Sequence, residues 1–125
     1  MGDHSLMKPS SAKAKGRRAA AAVKELLLTH APSLQPDDII VTSSGETGED
    51  LKLSPLARKA YPFAIECKNV EKLNIWAALE QAENHSSKFI PTLFFKRNNT
   101  RLYVALGAEE FLTLITGISD EQKGR

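Results

Sequence analysis

The sequence predicts an α/β domain, a mixed sheet flanked by helices, and three observations carry that expectation. The chain has 125 residues, 42% hydrophobic and 26% charged, which is the size and balance of one globular domain with its own core. Helix-period and strand-period stretches alternate along it. Turn residues separate these stretches into the order αβββαββα, with no internal repeat.

Each element rests on local chemistry. Residues 1–11 are polar and read as a flexible basic lead-in, ahead of a single domain over 12–118 and a polar tail over 119–125. From about Ser11 to Thr29 an alanine run is followed by Val23, Leu26, Leu27 and His30 at helical spacing, and Pro32 and Pro36 close the helix. Ile39–Thr42 is β-branched and reads as a strand. Ser43–Gly48 is a loop or a hairpin connection, and Asp50–Ser54 alternates polar and apolar as a second strand. Pro55 opens a helical turn to residue 60. Phe63–Lys68 is the third strand, with Phe63, Ile65 and Cys67 on one face. A helix over about Val70–Asn84 draws apolar contacts from Leu73, Trp76, Ala77 and Leu79. Thr92–Lys96 and Arg101–Leu106 are strands joined at Asn98–Asn99, and a last helix runs from about Ala108 to Gly117.

Composition excludes several classes. No apolar run approaches the ~18 residues of a membrane span, and the N-terminus has no apolar signal region. One cysteine, Cys67, permits no internal disulfide and fits a reducing cytoplasm. With His4, His30 and His85 as the only other soft ligands, a four-ligand zinc site is not expected. The glycines Gly45 and Gly48 form no phosphate-binding loop, and no serine-hydrolase signature occurs.

The net charge of +2 hides a segregation. Residues 1–24 carry six basic side chains (Lys8, Lys13, Lys15, Arg17, Arg18, Lys24) against Asp3 alone, whereas acids gather at Asp37, Asp38, Glu46, Glu49 and Asp50 and again at Glu66 and Glu71. The pattern fits a polyanion partner held by a basic arm, with acid or metal chemistry beyond it. From charge alone, a solvated tail followed by surface carboxylates is the simpler reading.

The chemistry-bearing segment is Gly48-Glu49-Asp50-Leu51 followed by Phe63-Ala64-Ile65-Glu66-Cys67-Lys68-Asn69. Strand alternation puts Glu66 and Lys68 on one face and Ile65 and Cys67 on the other. If the strand opened by Asp50 pairs with this one, two carboxylates and an ammonium converge. Two carboxylates are hard ligands for Mg²⁺ or Mn²⁺, and a lysine beside them can orient an attacking water and stabilise charge on phosphate oxygens. The bland alternative is a Glu66–Lys68 pair on a solvated strand, with Asp50 in a turn.

Gly48-Glu49-Asp50, Leu53-Ser54-Pro55, Ala57-Arg58 and Pro62 through Asn69 together resemble a phage and prophage group of the PD-(D/E)xK nuclease superfamily that looks like Holliday-junction resolvases. The resemblance spans about Gly16 to Ala82, with its specific part in residues 48–69, and Glu49 stands where the motif's proline would be. It implies a restriction-endonuclease-like αβββαβ core. It further implies that Asp50 and Glu66 are metal-binding acids, that the Cys67 carbonyl is a further ligand, and that Lys68 is the catalytic lysine.

The resemblance also suggests Glu25 as an added acid from the first helix and Gln81 as a glutamine orienting lysine or phosphate, although each also reads as an ordinary polar helix residue. Ser54 and Arg58 suit phosphate contacts or a capped turn. Lys13, Lys15, Arg17 and Arg18, with Arg58, Lys59 and Lys72, would hold DNA phosphates. The Cys67 side chain is read as packing, and Trp76 as core, dimer face or, less simply, a stacking platform.

The expected activity is metal-dependent hydrolysis of DNA phosphodiesters, selective for branched structure, with Mg²⁺ or Mn²⁺ as cofactor and the cytoplasm (a host's, if phage-encoded) as location. Two symmetric cuts imply a homodimer, with Asn74–Trp76 or the Phe94/Phe95 strand as candidate interfaces. A non-catalytic nucleic-acid-binding module of the same fold is the alternative.

Overall fold

The computed structural model describes residues 9–42, 48–85 and 88–118, without the side chains of 9–11. The elements are α1 (Pro9–His30), a 3-10 turn (Pro36–Asp38), β1 (Ile39–Val41), β2 (Leu51–Leu53), α2 (Pro55–Ala60), β3 (Phe63–Asn69), α3 (Ile75–His85), β4 (Ile90–Lys96), β5 (Tyr103–Leu106) and α4 (Ala108–Thr116). The expected α/β class and element order are thus present. Most of the lead-in (1–8), residues 43–47 of the loop and the tail from residue 119 lie outside the described residues. Residues 9–11 already belong to α1, because a proline at the first helical position gives up an N–H that would have no partner there. No helix among the described residues is long and apolar enough to cross a membrane.

The sheet is mixed. β3 and β4 run parallel, with Glu66 opposite Leu93 and Lys68 opposite Phe95, and β5 returns antiparallel to β4. Parallel neighbours need a crossover, which α3 supplies. β1 and β2 form an antiparallel pair, Ile40 opposite Lys52. The Asp50 N–H donates to the Ile65 carbonyl at 2.9 Å and so attaches this pair to the other edge of β3.

α1 buries Ala20, Val23 and Leu27 against Ile65, Cys67 and Phe94, and Leu34, Ile39, Leu51, Leu53 and Ala57 complete the core. Val23, Ile39, Leu51 and Ile65 are fully buried, each contributing roughly 1.5–3 kcal/mol. The Tyr61 hydroxyl donates to the Leu27 carbonyl at 2.6 Å, tying the end of α2 to α1.

α3 departs from expectation in start and phase. It begins at Ile75 because Asn74 Oδ1 accepts the Ala77 N–H at 3.1 Å and caps it. The buried residues are Ala78 and Ala82, whose small side chains let the helix lie close on the sheet. Trp76, expected among the inward contacts, falls on the opposite side and is 82% exposed.

β4 lies between β3 and β5, so both its edges are paired; Phe94 is buried and Phe95 is half-buried. The Asn98–Asn99 turn is as expected: Asn99 takes a positive φ of 64°, which asparagine tolerates, and the Arg97 N–H donates to Thr100 Oγ1 at 3.1 Å. α4 ends on Gly117 at φ 73°, whose N–H returns to the Thr113 carbonyl at 2.8 Å.

Candidate active site

Two hydrogen bonds place Asp50. Its N–H donates to the Ile65 carbonyl, and its Oδ2 accepts the Cys67 N–H at 2.7 Å. The two bonds bracket Glu66, so the carboxylate at the start of β2 is fixed against the stretch of β3 that carries Glu66 and Lys68. Just after β1, the Thr42 N–H and hydroxyl both donate to the Asp50 carbonyl, at 3.0 and 3.2 Å.

Glu66 lies on the α3 face of β3 and is only 2% exposed. Its Oε2 is 2.7 Å from His85 Nδ1. Burial raises the Glu66 pKa above the ordinary carboxylate value. The hydrogen bond from His85 works against that shift, the Asp50 charge adds to it, and the His85 and Lys68 charges oppose it. Lys68 is half-buried, two residues along on the same face. Cys67 points the other way into the core, where burial first, and then the Asp50 and Glu66 charges, push its thiol pKa up. A neutral buried thiol is packing, not a nucleophile.

The other expected site residues divide. Glu25 is exposed on α1, which covers the opposite face of β3, and it has no hydrogen bond or ion pair among the described residues. The structure therefore does not bring it to Asp50 and Glu66. Gln81 is half-buried on α3, one residue before Ala82. The Ser54 hydroxyl donates to Asp38 Oδ1 at 2.7 Å and accepts the Ala57 N–H at 3.1 Å, so it caps α2. Arg58 is also committed internally. It donates to the Phe63 carbonyl, pairs with Glu49 at 2.9 Å and stacks 4.1 Å over the Phe89 ring.

Lys13, Arg17 and Arg18 are exposed along α1. Lys15 is not part of that arm: it is 7% exposed and lies 3.7 Å from the Glu71 carboxylate. Glu71 also accepts the Asn98 N–H, so the three residues tie α1 to the β4–β5 turn.

Two participants were not singled out from the sequence, His85 and Glu49. His85 falls on the inward face, two turns beyond Ala78 and one beyond Ala82, a signal visible only once the helix phase is right. Glu49 occupies the position of the motif's proline and engages Arg58.

The donor set fits a hard divalent cation in part. Each carboxylate gives one oxygen to a protein partner, Asp50 Oδ2 to Cys67 and Glu66 Oε2 to His85. Asp50 Oδ1 and Glu66 Oε1 are the oxygens that these two bonds do not use. Two carboxylate oxygens and a backbone carbonyl suit Mg²⁺, which keeps most of its water. No group of three or more His, Cys, Asp or Glu side chains among the described residues is placed to hold a metal. Any such centre therefore relies on Asp50, Glu66, the chain carbonyls and water. Beyond Lys68, at the carboxyl ends of β3 and β4, a pocket of about 310 Å³ is lined by Val70, Leu73, Ile75, Phe95, Lys96, Arg97 and Tyr103, among others.

Comparison with protein-family models, with curated proteins and with solved structures finds no match to this chain.

Proposed function

We propose that the protein is a divalent-metal-dependent DNA endonuclease that hydrolyses phosphodiester bonds and selects branched DNA. The observation that carries this reading is the bracketing of Glu66 by the two Asp50 hydrogen bonds, which sets an acid from β2 beside the Glu66-Cys67-Lys68 segment of β3. The resemblance to PD-(D/E)xK nucleases assigns the same residues.

In this reading Asp50, Glu66 and the Cys67 carbonyl would hold Mg²⁺ or Mn²⁺, which would supply Lewis-acid polarisation of the phosphodiester and a more acidic attacking water. Lys68 orients that water and stabilises negative charge on the phosphate oxygens as the P–O ester bond breaks. His85 holds the Glu66 carboxylate and favours its charged form. Lys13, Arg17 and Arg18 attract backbone phosphates without reading bases. The test is cleavage of labelled four-way junction, flap and duplex substrates with Mg²⁺ or Mn²⁺. Cutting of all three alike would remove the branched-DNA element, and no cutting of any would remove the reading.

One observation favours a second reading, a non-catalytic nucleic-acid-binding module: Glu66 is nearly inaccessible and already paired with His85. Calorimetric titration with Mg²⁺ and Mn²⁺ separates the two. DNA binding with no metal binding supports the module.

A further inference from the structure

The pocket beyond Lys68 has walls to which the metal and phosphate chemistry gives no role. It encloses about 310 Å³ at the carboxyl ends of β3 and β4, the small end of the range for ligand sites and room for one base with its sugar. Lys68 is registered with Phe95, and Phe95 with Tyr103. Registered neighbours share a face of a sheet, so the three residues form one row on the side that carries Glu66, with Tyr103 two strand spacings, or roughly 10 Å, from Lys68. Both aromatic residues line the pocket, Leu73 and Ile75 add apolar wall, and Lys96 and Arg97 bring two cations. The Phe95 and Tyr103 rings lie 6.1 Å apart, tilted by 33°. Tyr103 is 49% exposed, and the Arg101 guanidinium lies 5.3 Å from its ring centroid, a cation–π contact that steadies the ring. Glu71 also lines the pocket, but its carboxylate is engaged by Lys15 and by the Asn98 N–H.

We propose that this pocket takes one unpaired nucleotide of a DNA strand, its base against Tyr103 and Phe95 and its phosphate on Lys96 and Arg97. Aromatic walls rimmed by cations recognise a flat ring joined to an anion. A paired base offers neither face, because both are covered in the duplex stack, so the pocket takes only a nucleotide that has left the stack. The row from Lys68 to Tyr103 sets that nucleotide beside the phosphate that Lys68 would face. Selection of branched DNA then has a physical origin, since branch points and flaps release nucleotides from the stack where continuous duplex does not. The assignment rests on the DNA-binding part of the proposed function and not on catalysis.

Binding measured without metal separates the two. Fluorescence anisotropy in chelator compares three labelled oligonucleotides: a duplex with one bulged adenosine, the same duplex with an abasic bulge, and a fully paired duplex. The bulged adenosine should bind about tenfold tighter than the other two. Tyr103→Ala, at a half-exposed position on an edge strand, should remove that preference while leaving duplex affinity and the circular-dichroism spectrum unchanged, and Tyr103→Phe should keep it. Arg97→Gln, an exposed change after β4, should weaken binding of the bulged form and reduce its salt slope by about 1. Equal binding of the adenosine and abasic bulges, or a preference that survives Tyr103→Ala, would overturn the proposal and leave metal-dependent cutting untouched. Binding of deoxyadenosine monophosphate alone, with no preference for the bulge, would assign the pocket to a free nucleotide and overturn it as well. Absence of cutting with the preference intact would remove the nuclease reading and support the pocket.

Discussion

Asp50 Oδ2 accepts the backbone N–H of Cys67 at 2.7 Å, across 17 residues of chain. Together with the Asp50 N–H bond to the Ile65 carbonyl, this bond joins the β1–β2 pair to β3, so one residue attaches the two sheet fragments and its carboxylate also stands beside Glu66. The dual role makes the two substitutions at this position diverge. Asp50→Asn keeps an acceptor for Cys67 and should unfold in urea within about 1 kcal/mol of wild type while losing divalent-metal binding. Asp50→Ala leaves a buried N–H unsatisfied and should lose a further ~1–3 kcal/mol. Equal stability of the two variants would sink the structural half of this account.

Glu66 is held in the folded protein with its pKa above the unfolded value, chiefly through burial. A carboxyl with a raised folded pKa stabilises the fold while protonated, and that contribution is lost as pH rises through the raised folded pKa. At pH 7 without metal, Glu66 is therefore a liability to folding. Glu66→Gln should raise the Tm at neutral pH, with the advantage vanishing in acid, while abolishing any stabilisation by Mg²⁺. The check is a set of thermal melts from pH 4 to 8, with and without the cation.

His85 counters part of that upward shift through its bond to Glu66 Oε2. His85→Ala should raise the Glu66 pKa further and weaken Mg²⁺ binding by about 10–100-fold, as loss of a partner behind a metal ligand commonly does. Affinity should recover partly as pH is raised, and His85→Gln should retain more than His85→Ala. Calorimetry at two pH values measures both. A pH-independent loss would contradict this role for His85.

The cations of α1 should separate into two kinds. Arg17→Ala and Arg18→Ala should each lower DNA affinity and reduce the salt slope by about 1. Lys15→Ala, in contrast, removes a buried stem and the contact with Glu71. It should lower the Tm and leave the salt slope unchanged. Binding titrations across a salt series, with parallel melts, distinguish them.

Ile65 is fully buried between α1 and β1–β2 partners. Ile65→Ala should destabilise the fold by about 2–5 kcal/mol in urea denaturation.

The fold was largely legible because its periodicities are strong. The β3 alternation, the Asn98–Asn99 turn and the Pro55 helix start all appear where the residues put them. α3 was misplaced because Trp76 and Leu73 dominate its hydrophobicity, whereas the helix actually packs through Ala78 and Ala82, residues too small to stand out. That one phase error hid His85. Asp50, Glu66 and Lys68 could be named from spacing and resemblance, since strand alternation fixes which side chains share a face. The commitments of Lys15, Ser54 and Arg58 to Glu71, Asp38 and Glu49 are long-range pairings that a linear pattern does not encode.

The most direct test of the account is cutting of a labelled four-way junction by the wild type and by Lys68→Ala, with Mg²⁺ and with chelator. The account predicts Mg²⁺-dependent cutting by the wild type, lost on chelation, and a fall of at least roughly a hundredfold in Lys68→Ala at unchanged stability. Undiminished cutting by Lys68→Ala, or no cutting by the folded wild type with either Mg²⁺ or Mn²⁺, would contradict it.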